Sequence, residues 1–139
     1  MVLQSGTARV SRALKNTVSK QEKGIDSELI VQRYFEARGY ECLYTRLKTP
    51  FAEVDLVMSR IKEDRIQENI LIEVKSFKSE LDPMNAVSYL QKKRLEKAFY
   101  FLLNRSSSFS QSTQKEIWRV HLALVDENAR VSVIEDFLV

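Results

Sequence analysis

Phe51-Ala52-Glu53-Val54-Asp55-Leu56-Val57-Met58 and Ile70-Leu71-Ile72-Glu73-Val74-Lys75-Ser76-Phe77 are the two stretches on which the reading of this chain turns. Each is an apolar run bounded by polar residues, the pattern of a buried strand. A buried strand carries Glu, Asp or Lys only where they are paired or bind something. Side chains two apart on a strand share a face, so Glu53 goes with Asp55 and Glu73 with Lys75. If the two strands are hairpin neighbours, three carboxylates and one ammonium converge. That is the chemistry of a metal site beside a cation. Strand rise sets Glu53 roughly 7 Å from Asp55, which places Glu53 behind a centre made of Asp55, Glu73 and Lys75.

The flanking sequence supplies the support. Ser19-Lys20-Gln21-Glu22 matches a capping box, and Gly39 suits the left-handed position after a helix end. A helix is therefore predicted between them, with an apolar stripe of Gly24, Val31, Tyr34 and Phe35 flanked by Ile25, Leu29 and Ile30. Glu28 falls on the core-facing side of that helix. It is either a flank glutamate whose stem covers the stripe or a carboxylate turned toward the strand acids. Tyr40 to Lys48 reads as a strand ended by Thr49-Pro50, since Pro50 cannot donate to a ladder. The strand from Phe51 to Arg60 follows, then Lys62 to Asn69 as a charged hairpin loop, then the strand from Ile70 to Phe77.

Lys78 to Asp82 reads as a polar loop, and Pro83 suits the first turn of a helix over Met84 to Leu103. Its apolar face holds Met84, Val87, Leu95, Ala98, Phe99 and Leu102. Gln91 lies on that face, and a buried amide needs partners: it sits at the rim, or it contacts the site or its water. Lys92-Lys93-Arg94 is either a solvated helix face or a phosphate-facing patch. Asn104 to Gln114 reads as a Ser-rich linker, and Ile117 to Val125 and Arg130 to Leu138 as strands joined by the turn Asp126-Glu127-Asn128. The order α-β-β-β-α-β-β predicts an α/β fold with a central mixed sheet flanked by helices.

With 139 residues the chain suits one domain: a single domain over 19–139 behind a basic, flexible tail over 1–18. The tail could also serve as a nucleic-acid-binding arm or an organelle transit segment. A hydrophobic share of 44%, a charged share of 29% and three glycines exclude a low-complexity chain. The net charge of +3 is a mild basic bias, compatible with a polyanion. Cys42 stands alone, so intrachain disulfides and cysteine zinc sites are excluded. It reads as a small core residue of a cytoplasmic protein. His121 is the one histidine, and with no nucleophile motif near it the reading is structural. No stretch approaches the ~20 apolar residues of a membrane span, so no membrane partner is expected.

An Asp followed on the next strand by Glu-x-Lys has a clear logic. Two carboxylates offer hard oxygen ligands to Mg²⁺, which keeps several waters and accepts phosphate oxygens. The ion stabilises charge developing on phosphate, and a lysine two residues after a ligand can orient or deprotonate the attacking water. Two other classes compete with this one. A non-catalytic nucleic-acid-binding or interaction module would owe its affinity to phosphate contacts and show steep salt dependence. A buried ion-pair network would bind no Mg²⁺ and stabilise poorly.

Gly24…Glu28, Gly39-Tyr40, Thr49-Pro-Phe-Ala-Glu53-Val-Asp55-Leu-Val57 and Ile72-Glu73-Val-Lys75 occur in an order that resembles the YraN-type (UPF0102-like) proteins of the PD-(D/E)xK nuclease superfamily. Holliday-junction resolvases and restriction endonucleases share that fold. The likeness covers Gly24 to Leu103, with Trp118 to Leu138 matching the remaining strands. It implies a restriction-endonuclease-like core and a DNA endonuclease that leaves a 5′-phosphate, acts on branched or flap DNA and works as a homodimer. It implies Asp55, Glu73 and Lys75 as catalytic residues and Glu28, Asp55 and Glu73 as ligands of Mg²⁺ or Mn²⁺. Glu53 matches the family's extra acid, and Gln91 and Lys92 fall where such nucleases place a helix residue near the site. Two positions depart from the family pattern: Ala52 stands where glycine is usual, and Val54 replaces the proline of the superfamily name.

Overall fold

The computed structural model describes residues 20–77, 87–109 and 115–138. The expected tail, the Ser19 cap, the polar loop after Lys78, Pro83 and Met84 lie outside the described residues. Among these residues two helices and five strands follow one another as α1 (Lys20–Glu36), β1 (Glu41–Lys48), β2 (Glu53–Ile61), β3 (Gln67–Ser76), α2 (Tyr89–Phe109), β4 (Glu116–Val125) and β5 (Val131–Ile134). The strands form one mixed sheet in the order β1-β2-β3-β4-β5. The β3/β4 pair is parallel and the other pairs are antiparallel. The parallel pair follows from the α2 crossover, which returns the chain to the same end of the sheet.

Neighbouring residues of the central strand β3 belong to different cores. Ile70 and Ile72 pack with Val31 and Phe35 of α1, with Leu56, Met58, Ala123 and Val125. Leu71 packs with Leu95 and Ala98 of α2, with Val57 and Val120. Alternation along a strand therefore puts the two helices on opposite faces, and β3 reads as a near-continuous apolar run because both its faces are covered. Each such side chain, fully buried, contributes about 1.5–3 kcal/mol.

α1 closes in a Schellman arrangement. The N–H of Tyr40 donates to the Phe35 carbonyl at 3.1 Å and that of Gly39 to Glu36 at 3.1 Å. Gly39 has φ of 89°, where a side chain would be strained. The accompanying apolar contact is the edge-to-face pair of Phe35 and Tyr40, centroids 5.3 Å apart. This one motif ends the helix and aims the chain into β1.

Several boundaries differ from expectation. β3 begins at Gln67, so the loop shrinks to a tight turn in which Arg65 takes φ of 66° and the Ile66 N–H is accepted by Asp64 at 3.1 Å. Glu68 and Asn69 had the composition of a loop, yet both are buried in the strand. Each is satisfied across the sheet: Asn69 by Ser59 at 2.7 Å, Glu68 by the Tyr40 hydroxyl at 2.7 Å, Arg60 at 3.0 Å and Arg119 at 3.3 Å. α2 runs on to Phe109, through the first half of the predicted linker; serine costs a helix only a few tenths of a kcal/mol per residue. β5 stops at Ile134, and 135–138 form a turn. The turn is held by the Asp136 N–H on His121 Nδ1 at 3.1 Å and the Phe137 N–H on Val120 at 3.1 Å, which gives buried His121 its structural work. Cys42 is half-buried against the α1-side core, and burial pushes its thiol up. Among the described residues no helix is long and apolar enough to cross a membrane.

Candidate active site

The sheet forks where the acidic residues stand. β2 and β3 stay in antiparallel register only as far as Leu56↔Ile72. Beyond that pair β2 continues with β1, through Leu47↔Val54 and Lys48↔Glu53, while β3 continues with β4, through Glu73↔Leu122, Val74↔Ala123 and Lys75↔Leu124. A strand pair that separates leaves backbone donors to be satisfied otherwise. Here Asp55 does it: its Oδ2 accepts the Val74 N–H at 2.8 Å, so the side chain substitutes for a ladder carbonyl and is held rigidly at the fork. Simple alternation fails at this point. Val54 packs on the α2 side with Val57, whereas Leu56, an even number of residues from Val54, packs on the α1 side. Arg46, whose neighbours in β1 pair with Val54 and Leu56, has φ of 51°. Irregular backbone of this kind re-aims a side chain.

Glu73 meets Asp55 across the fork. Burial pushes the Glu73 carboxyl up to about 9, helped by a hydrogen bond to Asp55 and by its charge, and opposed by the ammonium of Lys75. Glu28 reaches the same field from α1. Its carboxyl is raised to about 7, first by burial, then by Asp55 and Glu53, with the Arg46 guanidinium working the other way. α1 is pinned here by a hydrogen bond between the Ser27 and Ser76 hydroxyls, which joins the turn carrying Glu28 to the end of the strand carrying Glu73 and Lys75. Glu53 is turned to Arg46, Oε1 to Nε at 3.2 Å. Asp55, Glu73, Lys75 and Glu28 thus share one electrostatic neighbourhood, with Glu53 behind it. Arg46 and the Ser27–Ser76 link were not legible in the sequence, because only the completed register brings them to the acids.

Gln91 has another employment. Its Oε1 accepts the Ser88 N–H at 3.4 Å while its own N–H donates to Ser88 Oγ at 3.2 Å. That is a capping box, Ser88-Tyr-Leu-Gln91 carries its S-x-x-Q signature, and α2 accordingly begins at Tyr89, later than the expected Met84. Lys92 lies with its Nζ 5.8 Å from the Phe137 ring. Lys93 spans Glu96 at 3.8 Å and the Tyr89 ring at 5.7 Å. Arg94 is exposed.

The donor set fits a hard divalent cation. Two carboxylates, Asp55 and Glu73, confront one another, and burial first and Asp55 second hold the Glu73 carboxyl up. Carboxylate oxygens suit Mg²⁺ or Mn²⁺. Among the described residues no three His, Cys, Asp or Glu side chains close around a point that would hold an ion by protein ligands alone. Mg²⁺ is commonly held by one or two carboxylates, with water and substrate oxygens completing its shell.

The model of the uncharacterised protein family UPF0102 matches residues 27–135, a span that contains every residue of this centre. A search among curated proteins finds no match.

Proposed function

The chain belongs to UPF0102, the YraN-type family, and on that premise we propose that it is a metal-dependent endonuclease-like enzyme that hydrolyses DNA phosphodiesters. The observation that carries the reading is the Asp55–Glu73 confrontation at the fork of the sheet, with Lys75 in its field. Acids are set against one another at a strand split only at a cost in stability, and a cation relieves it.

In this reading Asp55 and Glu73 would hold Mg²⁺ or Mn²⁺, with Glu28 assisting from α1. When bound, the ion supplies compensation for the charge that builds on the phosphate group. Asp55 is kept in place by the Val74 N–H, so the ligand geometry needs no rearrangement when substrate arrives. Lys75, two residues after Glu73 on the same strand, donates from its ammonium to orient the attacking water and to meet negative charge on the phosphate oxygens. Glu53 and Arg46, paired at 3.2 Å, act on Glu28 with opposite signs beside the larger effects of burial and Asp55. The family likeness adds a 5′-phosphate product, branched or flap DNA as substrate, and a homodimer.

The test is Mg²⁺-dependent nicking of branched and linear DNA, with Lys75→Ala and Asp55→Asn beside the unsubstituted protein. Nicking that needs Mg²⁺ and is lost in both variants is expected. Nicking that survives both removes the assignment. Metal-independent DNA binding without nicking moves the protein to the class of binding modules.

A further inference from the structure

The outward face of α2 has no part in the centre described above, and its composition is unusual for a solvated helix. Tyr89 is 75% exposed and Tyr100 55%, although tyrosine usually buries most of its ring. They stand eleven positions apart, which returns to the same face of a helix and sets them about 16 Å apart along its axis. Lys93 and Lys97 stand between them at helical spacing, both exposed. The stripe therefore runs aromatic, cation, cation, aromatic. Four cations and one acid, Glu96, occupy positions 92–97. Lys93 is shared between Glu96 at 3.8 Å and the Tyr89 ring at 5.7 Å, exposed contacts that a phosphate readily displaces.

We propose that this face, Tyr89, Lys93, Lys97 and Tyr100, is a stacking platform for an unpaired segment of DNA. The proposal rests on the reading of DNA as substrate and narrows it to a substrate with a single-stranded portion. Duplex DNA offers the lysines its phosphates but hides the faces of its bases, so the tyrosines have nothing to stack on. A single strand engages both: phosphates on the cations, bases on the rings. The spacing of the tyrosines accommodates about five nucleotides at the ~3.4 Å rise of a stacked strand, fewer when it is drawn out. Beside Tyr100 a recess of about 180 Å³, walled by Phe99, Trp118 and Arg119 with Glu96 and Asp136 at its edge, offers further aromatic surface, which a plain polyanion site has no use for.

The experiment measures binding in EDTA on the Asp55→Asn protein, so neither cleavage nor metal contributes. Fluorescence anisotropy follows a labelled oligothymidine and a duplex of equal length. The paired change Tyr89→Ala with Tyr100→Ala is expected to weaken oligothymidine binding about tenfold or more and to leave duplex binding within about twofold. The paired change to Phe keeps the rings and is expected to keep the affinity. Both tyrosines are exposed, so thermal melts of the variants should match the parent. An equal loss on single strand and duplex, no loss on either, failure of Phe to substitute, or absence of oligothymidine binding in the parent each overturns the proposal. The two readings fail separately: nicking with unaltered single-strand affinity in the Ala pair removes the platform alone, whereas single-strand binding without nicking by the unsubstituted protein removes the enzyme reading alone.

Discussion

Replacing Glu73 by Gln is predicted to stabilise the metal-free protein while removing its activity, and the pH dependence of the gain is the sharp part. In the unfolded chain a glutamate titrates near 4.5, and in the fold Glu73 is pushed up to about 9. Between these values the folded protein holds a proton that the unfolded chain has released. Stability is then present in full below the unfolded value and is lost as pH rises toward the folded one. One proton corresponds to at most about 1.4 kcal/mol per pH unit, or roughly 2.7 kcal/mol from pH 5.5 to 7.5. Glu73 is only partly buried, so about half of that is expected, a fall of roughly 5 °C in the melting temperature for a chain of this size. Glu73→Gln cannot ionise and should flatten this slope, melting above the unsubstituted protein at pH 7.5 and close to it at pH 5.5. Glu28, raised to about 7, contributes the same sign below neutrality and remains in the variant. Glu68, which is lowered, acts below this window, and Tyr40 and Cys42, both raised, act above it. The assay is a thermal melt in EDTA at both pH values, repeated with excess Mg²⁺, which should lift the unsubstituted protein at pH 7.5 and not the variant. A melting temperature that is flat or rising from pH 5.5 to 7.5, or an identical slope in Glu73→Gln, would falsify the account of Glu73 as a carboxyl held up by burial and by Asp55.

Because both raised carboxyls must be ionised to serve as ligands, Mg²⁺ binding at pH 7 should release protons, measurable as a dependence of the calorimetric heat on the ionisation enthalpy of the buffer; heats independent of buffer oppose it. Glu68→Ala strips the acceptor from Tyr40, Arg60 and Arg119 and should cost about 2–3 kcal/mol in urea unfolding, with Mg²⁺-dependent nicking by the folded fraction retained. Ser88→Ala removes the N-cap of α2 and should cost about 1 kcal/mol, while Gln91→Ala costs less and leaves nicking within about twofold; a large loss of nicking in Gln91→Ala at unchanged stability would move Gln91 from the cap to the site.

Local order was legible in residues close together in the chain. Gly39 announced the end of α1 because a left-handed backbone tolerates little else, and its φ of 89° bears this out. The two strands bearing Glu53-Val54-Asp55 and Glu73-Val74-Lys75 were readable because apolar runs with isolated charges are short-range patterns. At Glu68 the sequence misled because the deciding contacts are distant. Glu68 looked like loop because its charge is visible in the chain and its partners Tyr40, Arg60 and Arg119 are not. Gln91, expected from its place on the apolar face at the rim or in contact with the site, caps α2 with Ser88 three residues before it, a local pattern already present in the chain.

The sequence by itself determined that Asp55 and Glu73-Val74-Lys75 lie on successive strands and that Glu28 rides the inner side of a helix. It could not determine that those strands part company after Leu56↔Ile72. That split puts Asp55 on the Val74 N–H, breaks the alternation through Val54, and brings Arg46 and the Ser27–Ser76 link into the neighbourhood. Periodicity is a property of one strand. The register at which two strands stop pairing is set by everything packed against both, and only the assembled fold contains it.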